Sequence, residues 1–246
     1  MQLGMATWSE VEAYLARSQG IIVPIGSTEQ HGPNGLIGTD AICAEAIARG
    51  VGEAADALVA PVIAVGIAGH HMTFPGTMTV TPTTLIRIIV ESVTALAHHG
   101  FTRFLFVNGH GGNIATIKAA FAELFHARYM VGQPEVRCAL RSWWEHASVA
   151  DLYHRLYGAA EGQHATASEV SVTQYLHPDH IKEAVLDPPQ ASDSPHFYDA
   201  RDFRRRFPDG RMGSNPGLST PEHGKEFYEA AVRWIAEDYR AFLSEP

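Results

Sequence analysis

Cysteine is almost absent from this chain of 246 residues. The two present, Cys43 and Cys138, sit in apolar neighbourhoods and read as buried thiols in a reducing compartment, with no basis for a disulfide framework. Long hydrophobic runs are missing too. The longest, Ala57 to Ala68, is too short to span a bilayer and is interrupted by Pro61. Residues 1–12 lack the charged start and apolar run of a secretory signal. Basic residues are in deficit, 18 Lys and Arg against 27 Asp and Glu, for a formal net charge of −9. Neither nucleic acid nor an anionic membrane is therefore an expected partner. These shortages point to a cytoplasmic protein. No linker, repeat or low-complexity tract is visible, so one domain over residues 1–246 is expected. With 46% hydrophobic residues the chain has enough apolar surface for a sizeable core. The residue in surplus is histidine, at 14 copies, a side chain that serves as metal ligand and as acid–base group.

Apolar runs alternate with helical patterns. Gly20 to Ile25, Leu58 to about Val65, Arg103 to Val107 and Val136 to Leu140 read as strands. They are continuously apolar, as strands buried on both faces must be. Helices are expected over Asp40 to Ala55, Pro82 to Gly100, Asn113 to Tyr129, Ala167 to Leu176 and Pro221 to Leu243. Thr81 before Pro82 is a candidate N-cap. The alternation predicts an α/β fold, a three-layer α/β/α arrangement with a mostly parallel central sheet. Residues 188–220, rich in Pro, Asp, Ser and Gly and carrying Arg204, Arg205 and Arg206, read as a long surface excursion.

In parallel sheets ligands collect beyond the carboxyl ends of the strands. Three segments there carry metal-capable groups. The loop after the first strand holds Glu29 and His31, two apart and so on one side of an extended backbone, followed by Asp40 at a helix start. The plainer reading makes Asp40 an N-cap and the other two solvated loop residues. The run Asn108-Gly-His-Gly-Gly-Asn113 centres His110 in a glycine-rich turn that matches neither dinucleotide nor Walker fingerprints. Glu161 to Ser171 places His164 just before a helix and Glu169 in its first turns, where a carboxylate also suits the positive helix end. Together Glu29, His31, Asp40, His110 and Glu169 form an oxygen–nitrogen set without thiolate, suited to Zn²⁺, Mn²⁺ or Fe²⁺. With one bridging carboxylate, such a set suits two ions about 3.5–4 Å apart.

These residues stand in blocks that resemble the creatininase (creatinine amidohydrolase) family of metal-dependent hydrolases. The blocks are Pro24-Ile-Gly-Ser-Thr-Glu-Gln-His-Gly-Pro33, Gly38-Thr-Asp40, His71-Met-Thr-Phe-Pro-Gly-Thr77, Asn108 to Asn113, His164 to Glu169, and Gly213-Ser-Asn-Pro216. The resemblance implies a centre of two divalent ions, with Glu29 and His110 on one, His31 and Glu169 on the other, and Asp40 bridging. It implies that His164 is catalytic, that Trp143 or Trp144 closes over a small-molecule substrate, and that His71 and the Phe74-Pro-Gly-Thr77 loop line the approach. It also implies a homohexamer. Two departures argue against creatinine as the substrate. Creatinine-cleaving members carry an aromatic residue and a metal-binding carboxylate where this chain has Gly111 and Gly112, and a carboxylate where it has Gln163. The Gly-Gly form is similar to formamide-cleaving members of flavin and deazaflavin synthesis and to a peptidase of cofactor maturation. The expected reaction is hydrolysis of an amide, cyclic amide or formamide. The alternatives are opening of a lactone or sugar-derived ring on the same centre, or metal binding without catalysis.

Overall fold

The computed structural model describes residues 1–193 and 196–245. Four strands form one fully parallel sheet: β1 (Gly20–Ile25), β2 (Leu58–Val59), β3 (Arg103–Asn108) and β4 (Arg137–Ser142), in the spatial order β2-β1-β3-β4. β1 and β3 pair in register along their whole length, from Gly20 opposite Arg103 to Ile25 opposite Asn108. Their side chains alternate between two cores. Ile22, Leu105 and Val107 face one, and Ile21, Val23, Ile25, Phe104 and Phe106 face the other. Burial on both faces explains why the strands read as unbroken apolar runs.

The helices divide accordingly. α2 (Thr39–Ala54), α5 (Ala147–Leu156), α6 (Ala167–Leu176) and α8 (Pro221–Ser244) cover the first face, with Ile47, Val51, Val172, Phe227 and Tyr239 in its core. α1 (Trp8–Leu15), α3 (Pro82–His98) and α4 (Ile114–Met130) cover the second through Tyr14, Leu85, Ile89, Ile117 and Leu124. The result is the expected three-layer α/β/α arrangement. α3 and α8 open with the same device. Thr81 and Thr220 each precede a proline, and their hydroxyls accept the N–H of Thr84 and His223. Each such cap contributes about 1 kcal/mol.

Three local expectations are corrected. β2 stops at Val59 rather than running to Val65. Ala60 still donates to the Ile22 carbonyl, but Pro61 has no N–H to continue the ladder, and pairing resumes only as the single bridge of Ile63 to Ile25. α1 and α5 were not expected. α1 is held by a capping box between Thr7 and Glu10, while α5 is capped by the imidazole of His146. Finally, the segment 188–220, within which residues 194 and 195 lie outside the described residues, is more than a surface excursion. It contains α7 (Ala200–Arg206) and buries Phe203, Phe207 and Met212 in a small core against Phe74 and Phe197. The arginine run is satisfied internally. Arg205 and Arg206 pair with Asp202, and Arg204 lies 4.1 Å from the Phe74 ring centroid.

Candidate metal centre

The strand order places the topological switch between β1 and β3. α2 leaves β1 on one face of the sheet and α4 leaves β3 on the other, which opens a crevice at their carboxyl ends. The loop after β1 brings Glu29 and His31 into it, and the first turn of α2 adds Asp40. The turn after β3 adds His110, whose backbone is bracketed by Asn108: the side-chain Oδ1 accepts the His110 N–H at 3.1 Å and Nδ2 donates to the His110 carbonyl at 2.8 Å. The N-terminus of α6, packed on α2, adds Glu169.

All five expected ligand residues meet. His31 Nε2 lies 3.0 Å from Asp40 Oδ1 and 3.9 Å from Glu169 Oε1. His110 Nδ1 lies 3.0 Å from Asp40 Oδ2, and its Nε2 lies 3.3 Å from Glu29 Oε2. Three triplets gather ligand-capable atoms within 4.8 Å of one another: Glu29–Asp40–His110, His31–Asp40–Glu169 and Glu29–His31–His164, and Asp40 belongs to the first two. Glu29, Asp40 and His31 are at most 2% exposed. Both imidazoles are oriented from behind by backbone. His31 Nδ1 donates to the Glu29 carbonyl at 3.1 Å, and His110 Nε2 donates to the Ile67 carbonyl at 3.0 Å. That leaves His31 Nε2 and His110 Nδ1 facing Asp40, an arrangement that fixes the tautomer of metal-binding histidines. Glu29 Oε1 and Asp40 Oδ2 are buried and make no aligned hydrogen bond; imidazole nitrogens face them, His71 Nε2 at 3.2 Å and His110 Nδ1 at 3.0 Å. Buried carboxylates interleaved with imidazoles, and no thiolate, form a donor set that fits divalent ions.

The electrostatics agree. With no ion bound, burial opposes protonation of His31, but Asp40 foremost, then Glu169 and Glu29, raise it to about 10. His110 rises to about 9 against its burial because of Glu29 and Asp40. Burial pushes Asp40 up, yet His31 and His110 pull it well below the usual carboxylate range. Glu29 is raised by burial, partly offset by His110. Burial pushes Glu169 up to about 7, with His31 working against it.

His164 lies outside the two Asp40 triplets and joins the cage through the third, with Glu29 and His31. Its Nδ1 is 3.8 Å from Glu29 Oε1, its ring lies against those of His31 and His71, and burial together with His71 holds it well below the ordinary histidine value. A cavity of about 660 Å³ opens onto His110, His164 and Glu169 and is walled by Gly111, Trp143, Trp144, Tyr153 and Gln163. Trp143 is almost wholly buried, whereas Trp144, set against it at 88°, is part-exposed. His71 and the Phe74–Thr77 loop do not line the cavity. His71 is buried behind Glu29, with Nε2 3.2 Å from Oε1. A larger hollow of about 810 Å³ runs along the free edge of β4, and none of the three metal-capable triplets found among the described residues borders it.

Two residues with roles here were not singled out in the sequence. Glu161 lines the cavity and accepts from Ser168 N at 3.2 Å and from the Ser168 hydroxyl; burial pushes its carboxyl up to about 7. Gln30 lies between two ligand-capable residues in the run Glu29-Gln-His31, and that adjacency was the only sequence signal available.

A parallel α/β/α sheet with a buried carboxylate–imidazole cage at its switch point and a substrate-sized cavity above it defines an α/β protein with a candidate dinuclear centre. The signature of the family described as Creatininase: Creatinine amidohydrolase matches residues 5–239. The chain belongs to that family, whose members are metal-dependent hydrolases. It is 29% identical over 255 residues to the creatinine amidohydrolase of Pseudomonas putida, covering 97% of this chain and 95% of that protein. It is 35% identical over 167 residues to the mycofactocin precursor peptide peptidase of Mycolicibacterium smegmatis, covering 65% of this chain and 59% of that one. A solved structure described as creatininase Mn superposes with a TM-score of 0.89 at 26% identity, over 99% of each chain.

Proposed function

We propose that the chain hydrolyses a C–N bond in an amide, cyclic amide or formamide, using two divalent ions (Zn, Mn or Fe) held by Glu29, His31, Asp40, His110 and Glu169. The observation that carries this reading is the membership of Asp40 in two of the three ligand triplets, which suits a carboxylate shared between two ions. Glu29 and His110 would complete one ligand set, His31 and Glu169 the other. Bound ions supply Lewis acidity, polarising the scissile carbonyl and lowering the pKa of water. The rest falls to the protein. His164, neutral and at the rim of the cage, takes the proton of the attacking water and delivers it to the leaving nitrogen, which needs it because an amide anion is a poor leaving group at neutral pH. Trp144, backed by Trp143, covers the substrate and excludes bulk water. The working form is a homohexamer acting on a small molecule in the cytoplasm.

Creatinine is not the proposed substrate. A Cβ at position 112 would collide with His110 Nε2, so no carboxylate fits there without moving His110. The test is a panel of formamides, lactams, short peptides, lactones and creatinine, run on metal-loaded protein with wild-type His164 and with His164→Asn. Turnover of an amide or formamide, a loss of kcat of roughly 10²–10⁴-fold in the variant and an unchanged metal load are expected. Rapid creatinine turnover, activity confined to lactones, or metal loss in His164→Asn would overturn the corresponding part.

A further inference from the structure

The side chain of Gln30 is buried where three segments meet, among His71, His164 and Gly210. Its amide orientation is fixed twice. Oε1 accepts the Gly32 N–H at 2.8 Å, and Nε2 donates to the Gly210 carbonyl at 3.0 Å. A flipped amide would set donor against donor and acceptor against acceptor. Gly210 has φ +91° and a Cβ there would collide with Gln30 Oε1, so the backbone conformation and the amide both call for glycine.

One amide hydrogen remains, and two imidazole nitrogens face it: His71 Nδ1 at 2.9 Å and His164 Nε2 at 2.9 Å. His164 Nε2 has a second neighbour, the Gln30 backbone carbonyl at 2.8 Å, which can only accept. If His164 carries its hydrogen on Nε2 and gives it to that carbonyl, the amide hydrogen goes to His71 Nδ1 and every polar atom of the junction is used. The opposite choice leaves both the Gln30 carbonyl and His71 Nδ1 without partners, which is costly in a buried site. His71 then bears its hydrogen on Nε2, pointed toward Glu29 Oε1 at 3.2 Å. His164 presents an unprotonated Nδ1 toward the cage, 3.8 Å from the same oxygen. The two rings stack with centroids 4.4 Å apart at 26°, so the pose of one constrains the other.

We propose that Gln30 is a positioning residue: its amide locks His71 as the Nε2–H tautomer behind Glu29, and its backbone carbonyl holds His164 with Nδ1 free toward the substrate. The kinetic consequence rests on the amide-hydrolase reading; the tautomer consequence does not.

The experiment is ¹⁵N NMR of the histidine rings in metal-loaded protein, wild type against Gln30→Glu and Gln30→Met, with kcat and KM on whichever panel substrate is turned over. Wild type should show Nε2–H tautomers at His71 and His164. Gln30→Glu keeps the shape but offers only acceptors, so His71 should switch to Nδ1–H while His164 stays Nε2–H. Gln30→Met should leave His71 as a tautomer mixture, and it carries the same reading if the glutamate variant does not fold. kcat should fall about 10–100-fold with KM little changed and metal load retained. His71 remaining Nε2–H in both variants overturns the proposal, as does unchanged kcat alongside a switched tautomer. A switched tautomer in a protein whose wild type turns over no panel member upholds the positioning geometry and removes the hydrolase reading instead.

Discussion

Glu169 shows how one carboxylate answers to two demands. Its Oε1 accepts the Thr166 N–H at 2.6 Å, the Thr166 hydroxyl accepts the Glu169 N–H in return, and the same Oε1 faces His31 Nε2 at 3.9 Å. A helix-capping box and a candidate ligand therefore coincide. Glu169→Gln keeps a carbonyl oxygen for Thr166 but loses the charge. Ion-free Glu169→Gln should melt close to wild type yet bind less metal, whereas Glu169→Ala should lose metal and also about 1 kcal/mol of stability with the cap. Chemical denaturation with metal analysis separates the two; equal stability of both variants would mean that the cap carries nothing. Asp40 makes the complementary case. Since it joins Glu29 and His110 in one triplet and His31 and Glu169 in another, Asp40→Ala should lose most of both ions, while His31→Ala should lose mainly one. A full metal load per chain in purified Asp40→Ala would remove the bridging assignment.

The elements most legible in the sequence are those whose signals are local. β1 and β3 announce themselves as unbroken apolar runs, and α3 by the Thr81 cap before a helical pattern. β2 was overextended because an apolar run does not disclose that its ladder ends where Pro61 withholds a donor. α1 was missed because only Tyr14 of its eight residues is buried, so the apolar stripe that marks a helix is thin. The ligand-capable residues were legible because each follows a strand or opens a helix. The Gln30 junction was not, since its partners His164 and Gly210 lie 134 and 180 residues along the chain. The turn between β3 and α4 offers a sharp test at this scale. A methyl group at Gly111 would meet nothing within 4 Å, but one at Gly112 would meet His110 Nε2 and the Ile67 carbonyl that orients it. Gly111→Ala should keep its metal. Gly112→Ala should turn His110 and lose roughly 10–100-fold in metal affinity, the range for disturbing a ligand's support. Equal affinities, measured by competition with a chelating dye, would mean that the turn yields at no cost.

At the scale of the whole molecule, the protein brings five ionisable ligand candidates into one buried cage, and that has consequences in solution. Assembly can be tested first: a hexamer should scatter light as six times the 26.8 kDa chain mass, and a monomer value at working concentration would remove that part of the reading. None of the helices among the described residues is long and apolar enough to cross a membrane. The cage itself predicts a proton balance. Without ions, His31 at about 10 and His110 at about 9 both hold protons at neutral pH. An imidazole ligates only through an unprotonated nitrogen, so loading at pH 7 should expel about two protons per chain, with a further fraction from Glu169, which titrates at about 7. Apparent metal affinity should accordingly rise with pH up to about 9–10. The ion-free protein behaves in the opposite sense. The folded values of His31 and His110 lie above the unfolded histidine value of about 6.5. Their pairing with the carboxylates stabilises the fold fully below that value and is lost as pH rises through about 9 and then about 10. The gap in melting temperature between loaded and ion-free protein should therefore widen from pH 7 to pH 10. Calorimetric titration in two buffers of different ionisation enthalpy counts the protons directly, and a release near zero at pH 7 would mean that these imidazoles do not take the ions.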